Sequence, residues 1–322
     1  MDSRGIGIVL AVAAALGWTP GAAAQAPLPK TIKIVVPFSA GGSNDVVARA
    51  IATPLSARLG VPVIVENKAG AAGVVGADAV AKSPRDGSVL LLTSSSFLTA
   101  AATQPQLPYD PIAAFAPVAM VGRGPMLFVV SSSTPYKSPA EVVAAAKASP
   151  GTLNYGTAGV GSIAHLTTEL FDDTAKVRMT HVPYKGAANA AVDLAAGQIQ
   201  VMVSNYSTVA PLIRSGKIRP IAVTSAKPHP AFPDLPPLAS AAPGFNVDIW
   251  VGVFAPAGTP ASIVERLNHE IVSIAASPEL ASVLEPDGAL PDAIGPAMFG
   301  ARLKDELAQW KQIASDHKIV AE

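Results

Sequence analysis

The chain has 322 residues, 23 basic side chains (Lys+Arg) against 23 acidic ones (Asp+Glu), and no cysteine. That length accommodates two domains with separate cores, because single hydrophobic cores rarely grow past about 250–300 residues. The balanced charge, with no basic run and no basic-aromatic interleaving, argues against nucleic acid and anionic membrane surfaces as partners. Without cysteine there is no disulfide, no Cys-ligated zinc and no thiol nucleophile.

In chain order, Arg4 precedes an apolar run from Ile6 to Trp18 and then the small-residue stretch "GAAAQA". This reads as a secretory signal peptide over residues 1–24, cut after Ala24. The run is too short to cross roughly 30 Å of hydrocarbon, which takes about twenty residues. With no cysteine at the cut there is no lipid anchor, so the mature chain is expected to be free in an exported compartment.

From Lys30, β-branched runs alternate with helical segments: "IKIVVPF", Asn44–Leu59, "VPVIVEN", Val74–Ala81 and "SVLLLTSSS". A second series follows: "MLFVVSSS", Pro139–Ala148, "LNYGTAG", Ser162–Asp172, "MTHVPY", Ala187–Ala196, "VMVSN" and "RPIAVTS". Strands separated by helices predict parallel α/β sheets, and two such series predict two similar lobes. The Pro-crowded stretch from Lys227 to Pro243 reads as an irregular surface link, since proline lacks the N–H and fixes φ. Two amphipathic helices follow "WVGVFAPAGTP". Ile263, Leu267, Ile271 and Ile274 stripe the first, with Thr259 as its expected cap and Pro260 in its first turn. Phe299, Leu303, Leu307 and Trp310 stripe the second; both stripes are core-packing faces.

Three loops at strand ends carry the chemistry, because open α/β sheets bind ligands at that edge. In "PFSAGGSND", Gly41 and Gly42 free the backbone, Ser43 or Asn44 is expected to cap the next helix, and the unpaired N–H groups at its start suit an anion. "TSSSFLT" places Ser94, Ser95, Ser96 and Thr99 after a strand. "GTAGVGSIAH" supplies Gly159, Gly161, a capping Ser162 and His165. Strand-to-helix turns favour Gly and Ser for purely structural reasons as well. "GVGSIA" fits a loose dinucleotide fingerprint, but the acidic residue expected about twenty positions on is missing. "GGSND" lacks the last Gly of a hydrolase elbow, and "HEIVS" is not a zinc-binding H-E-x-x-H. The five histidines are scattered without metal-ligand spacing. His181 and His269 read as structural, and His229 and His317 as exposed.

"IKIVVPFSAGGSNDVVAR", "VPVIVENKAGAAGVVGADAVAKSPRDG", "LPYD", "YGTAGVGSIAHL", "HVPYKGA", "AVTSAK" and "WVGVFAPAGTP" together resemble the Bug-type solute-binding proteins, the extracytoplasmic receptors of tripartite tricarboxylate transporters. The likeness spans nearly the whole mature chain in order. It implies an α/β, two-lobed periplasmic binding protein fold (type II, Venus-flytrap). Lobe 1 would comprise residues 25–125 and 228–322, and lobe 2 residues 126–227. It further implies a monomer in the periplasm that holds a small organic acid between the lobes, needs no cofactor or metal, and serves membrane subunits of such a transporter or a sensor protein. The residues it assigns to the ligand are Phe38, Ser39, Ala40, Gly41, Gly42 and Asp45 in the first loop and Gly159, Gly161, Ser162 and His165 in the second. Ser96, Tyr184 and Asn205 are added. Family carboxylates are held largely by loop N–H groups, hydroxyls and waters. Asp45, which would repel a carboxylate at contact, is expected to orient a water or cap its helix. Lys68 and Ala69 depart from the Arg-Pro usual in the family, on a surface turn. "TSSSFLT" and "VSNYS" lie where the family varies and are expected to decide the substrate. The competing reading is a secreted hydrolase or isomerase using His165 with Ser162 or Asp45, although the sequence shows no triad order.

Overall fold

A computed structural model describes residues 28–38 and 40–321; the expected signal peptide and Ser39 lie outside the described residues. Two sheets organise the chain. The first opens with β1 (Ile32–Val36), α1 (Ser43–Leu59), β2 (Val63–Asn67), α2 (Val74–Ala81), β3 (Val89–Ser94), α3 (Ser96–Thr103) and β4 (Phe115–Pro125). The second contains β5 (Leu127–Ser131), α4 (Pro139–Ala148), β6 (Asn154–Thr157), α5 (Ile163–Ala175), β7 (Thr180–Pro183), α6 (Ala187–Ala195), β8 (Val201–Ser204), α7 (Tyr206–Arg214) and β9 (Ile218–Val223). The chain then returns to the first sheet with β10 (Asp248–Pro256), α8 (Ala261–Ala275), α9 (Pro278–Leu284), β11 (Leu290–Ile294) and α10 (Pro296–Asp316).

The strand orders are β11-β4-β10-β3-β1-β2 and β7-β6-β8-β5-β9. The expected wholly parallel sheets are corrected to mixed ones. β1 pairs in parallel with β2 and β3, whereas β10 runs antiparallel to both β3 and β4. In the second sheet β6 pairs in parallel with β7 and β8, while β5 is antiparallel to β8 and β9. The cause lies in how the chain changes sheets. β4 passes through Met126 directly into β5, and β10 comes back from the second sheet to insert between β3 and β4. Each inserted strand enters from the opposite end and so runs antiparallel to its neighbours. β4 itself escapes the sequence reading because Pro117, Gly122, Gly124 and Pro125 are strand-demoting residues; flanking pairs with β10 and β11 override them. "TSSSFLT" proves to be the end of β3 and the start of α3.

The helical stripes pack as expected. Ile263, Leu267, Ile271 and Ile274 are buried along α8, as are Phe299, Leu303, Leu307 and Trp310 along α10. Each such side chain contributes roughly 1.5–3 kcal/mol by leaving water. The Thr259 cap is corrected: Pro260 is the N-cap residue of α8, extended at φ −52° and ψ 135°, and the Thr259 hydroxyl instead donates to Pro256 O at 2.8 Å. α10 packs against both α3 and α5, so the C-terminal helix ties the layers of the two sheets together.

Candidate ligand-binding cleft

β1 delivers the chain to the turn before α1, where Gly41 adopts φ 81°, a left-handed angle costly for a residue with a Cβ. Space is not the constraint there, since a Cβ on Gly41 would meet nothing within 4 Å. The expected Ser43 or Asn44 cap is corrected: Gly42 occupies the N-cap position and no side chain caps the helix. Asp45 reaches back from the first turn, its carboxylate accepting the Gly41 N–H at 2.8 Å and the Arg49 Nε–H at 3.1 Å. Those bonds, Arg49 first and Gly41 second, hold the buried Asp45 carboxyl down to about 2. Arg49 Nη2 also donates to Asn67 Oδ1 at 3.2 Å, and Asn67 Nδ2 to Phe38 O at 3.1 Å. Asp45 therefore anchors the turn from behind rather than facing the cleft. The first bond of the helix runs from Val46 N–H to Gly42 O, so the preceding N–H groups are left at its head.

That head opens on a cavity of about 300 Å³ between the two sheets. Gly42, Ser43 and Asn44 form one side with Ser94, Ser95 and Ser96, and Ile163 and Asn205 reach it from the second sheet's layer. Much of the remaining wall is apolar: Phe38, Ile249, Trp250, Val251, Val283 and Leu284. Ser94 Oγ shares a 2.9 Å hydrogen bond with Ser96 Oγ and accepts from Asn44 Nδ2 at 3.3 Å. The buried Ser95 Oγ is taken by the Trp250 N–H at 2.9 Å. Asn205 is the N-cap residue of α7, and its side chain caps nothing. Asp287 lines the cavity too, accepting the Ser207 N–H at 3.0 Å and the Ser43 hydroxyl at 3.4 Å. No lysine, arginine or histidine lines the cavity among the described residues.

The second loop meets the cavity through Ile163, the first residue of α5. Gly159 and Gly161 take φ 123° and 76°, and Ser162 caps α5 as expected, accepting the His165 N–H at 3.3 Å. Gly161 N–H donates to His165 Nδ1 at 3.2 Å. A Cβ on Gly161 would stand 2.6 Å from Thr103 Oγ1, so this glycine is required by close packing against the end of α3. Tyr184 donates its hydroxyl to Asp193 at 2.8 Å. Of the sequence-assigned residues, Phe38, Gly42, Ser96 and Asn205 line the cavity, and Ala40, Gly41 and Asp45 frame the turn behind it. Gly159, Gly161, Ser162, His165 and Tyr184 lie outside the lining. Sequence reasoning missed Ile163, Ile249, Val283, Leu284 and Asp287. Trp250 had a signal, as the first residue of "WVGVFAPAGTP"; Asp287 had none.

The histidines are not scattered in space. His165 and His181 stack at 3.7 Å between ring centroids, and Tyr155 stacks on His181 at 5.0 Å. His317, expected to be exposed, is only partly so and is fixed to Glu169 at 2.7 Å and Asp173 at 2.9 Å, joining the end of α10 to α5. Tyr155 donates its hydroxyl to Glu169, and Met179 N–H donates to Asp172 Oδ2 at 2.6 Å. Burial pushes Asp172 up to about 7 and His181 down to about 4. His317 is pulled down by burial but raised further by its bond to Asp173 and the nearby carboxylates, ending above its ordinary value. A cavity of about 720 Å³ lies beside this cluster. No group of His, Cys, Asp or Glu among the described residues has a metal-binding arrangement.

Two mixed α/β sheets with a polar-ended cavity between them define a two-lobed periplasmic binding protein fold. The sequence profile described as "Tripartite tricarboxylate transporter family receptor" matches residues 47–319. BugT of Bordetella pertussis is 37% identical over 290 residues, covering 89% of both chains. Among solved structures, adipate-bound Rpa4515 of R. palustris aligns with a TM-score of 0.77 at 36% identity, covering 91% of this chain and 99% of its own. Malate-bound MatC of Rhodopseudomonas palustris aligns at 0.74 and 32% identity, covering 88% and 98%. The chain belongs to the tripartite tricarboxylate transporter receptor family, a family of solute-binding receptors, as its Bug-type motifs implied.

Proposed function

We propose that this chain captures a small organic acid in the cavity between its sheets and hands it to membrane subunits of a tripartite tricarboxylate-type transporter, or signals its presence to a sensor protein. The observation that carries this reading is the head of α1, which lacks a side-chain cap and opens on a cavity lined by no basic side chain among the described residues. Backbone N–H groups and the helix dipole favour an anion there. Gly42, Ser43, Asn44 and Ser96 hold the carboxylate, and Asn205 meets the ligand from the other side. The adipate and malate bound to family members support the ligand class. Lobe 1 is residues 25–125 and 228–322 and lobe 2 is 126–227, with the two closing about the ligand; residues 1–24 direct export to the periplasm and are removed.

The hydrolase reading draws no support from the geometry of its residues. Ser162 Oγ accepts the His165 backbone N–H, His165 Nδ1 accepts from Gly161, and Asp45 is engaged by Arg49 and Gly41. The test is calorimetry and thermal shift on refolded, ligand-stripped protein with adipate, malate, hexanoate and benzoate. Saturating acid at about 100 times its dissociation constant should add about 2.7 kcal/mol of stability. Absence of heat and of any melting shift with every acid at millimolar concentration would reject the reading.

A further inference from the structure

Two helix heads meet at the cavity, and one is already occupied. α1 and α7 both begin without a side-chain cap, and their N-terminal residues Gly42 and Asn205 both line the space. A dicarboxylate could set one carboxylate at each head, since each offers N–H donors and the positive end of a helix dipole. In this chain the Asp287 carboxylate takes the Ser207 N–H of α7 at 3.0 Å. Its other oxygen accepts the Ser43 hydroxyl at 3.4 Å, and among the described residues no side chain caps the backbone N–H groups of the α1 head, which are left to a ligand. Asp287 thus already supplies a carboxylate at the head of α7.

Resting on the proposed acid-binding function, we infer that Asp287 sets the ligand class: an apolar monocarboxylate rather than a dicarboxylate. A second ligand carboxylate would have to face Asp287 across a cavity that no lysine, arginine or histidine among the described residues lines to offset the repulsion. The body of the ligand would instead lie against Phe38, Ile163, Ile249, Trp250, Val251 and Leu284. Apolar surface gains from that contact, whereas a charged end is stripped of water there without a partner.

The test compares hexanoate with adipate, which share a carbon count and differ by one carboxylate. Dissociation constants are measured by calorimetry on the ligand-stripped mature chain and on Asp287→Asn and Asp287→Ala, with melting temperatures to verify folding. The wild type should bind hexanoate about tenfold or more tighter than adipate. Asp287→Asn, which keeps the shape and removes the charge, should move that ratio about tenfold or more toward adipate. Should Asp287→Ala not fold, the Asn variant decides alone. Adipate binding as tightly as hexanoate in the wild type, or a ratio unmoved by Asp287→Asn, overturns the inference and leaves acid binding standing. Folded proteins that bind neither acid would sink the acid-binding reading and this inference together.

Discussion

The cleft between the sheets and the cluster between α5 and α10 differ in a way that separates a binding site from a structural joint. The cluster is rich in ionisable groups tied mostly to one another: His317 pairs with Glu169 and Asp173, Tyr155 with Glu169, and one oxygen of Asp172 with the Met179 N–H, while Asp172 Oδ1 is buried as an acceptor without a donor. Among the described residues the cleft has one carboxylate and no basic group, yet its helix head keeps donors without acceptors. Density of charge therefore misleads here. What marks a place for an anionic guest is unspent donor capacity beside empty volume, because satisfied donors and lone acceptors gain little from a new negative charge.

Gly42 is the position where a substitution should cost the cleft most. Gly42→Val leaves backbone angles that valine tolerates, φ −75° and ψ 165°, but places branched carbons at the α1 head. It should weaken acid binding about a hundredfold or more in calorimetry, with the melting temperature little changed. A variant that binds like wild type would remove this helix head from the site. Next comes Asp45→Asn, which retains an acceptor for the Gly41 N–H but loses the charge facing Arg49. Loosening that turn should cost about 1–2 kcal/mol in chemical unfolding and a several-fold loss of acid affinity.

The cluster should respond to pH rather than to ligand. Asp172 is raised to about 7 by burial, so its favourable contribution is fully present below its unfolded value near 4 and is lost as pH rises through about 7. His317, also raised, contributes below about 6.5 and loses that contribution as pH rises through its folded value. Removing the buried charge by Asp172→Asn should thus stabilise the protein on the order of 1–3 kcal/mol at pH 8 and far less at pH 4.5, read as melting temperature against pH. A gain independent of pH would contradict it. Smallest is Ser162→Ala. Loss of the α5 cap should cost about 1 kcal/mol of stability while leaving acid affinity within about twofold, because Ser162 lies outside the cavity lining.

Local signals were legible in the sequence wherever neighbours in the chain decide the outcome. The stripes of α8 and α10, the left-handed turn at Gly41 and the Ser162 cap follow from helical spacing, glycine's freedom and capping chemistry. What could not be read depends on partners far apart. Asp287 meets Ser43 across 244 positions, and Trp250 meets Ser95 across 155. Gly161 is packed against Thr103, a contact that nothing in its own loop announces. Likewise His165, His181 and His317 show no spacing in the chain and converge only because α10 crosses to α5.

The most direct test of the account is a crystal structure of the mature chain grown with whichever of hexanoate and adipate binds more tightly. A ligand carboxylate within hydrogen-bond range, roughly 3 Å, of the backbone N–H groups at the head of α1, with its carbon chain against Trp250, is the predicted result. A carboxylate seated instead beside His165, His181 and Arg178 in the cavity along α5, with the α1 head left untouched, would contradict it.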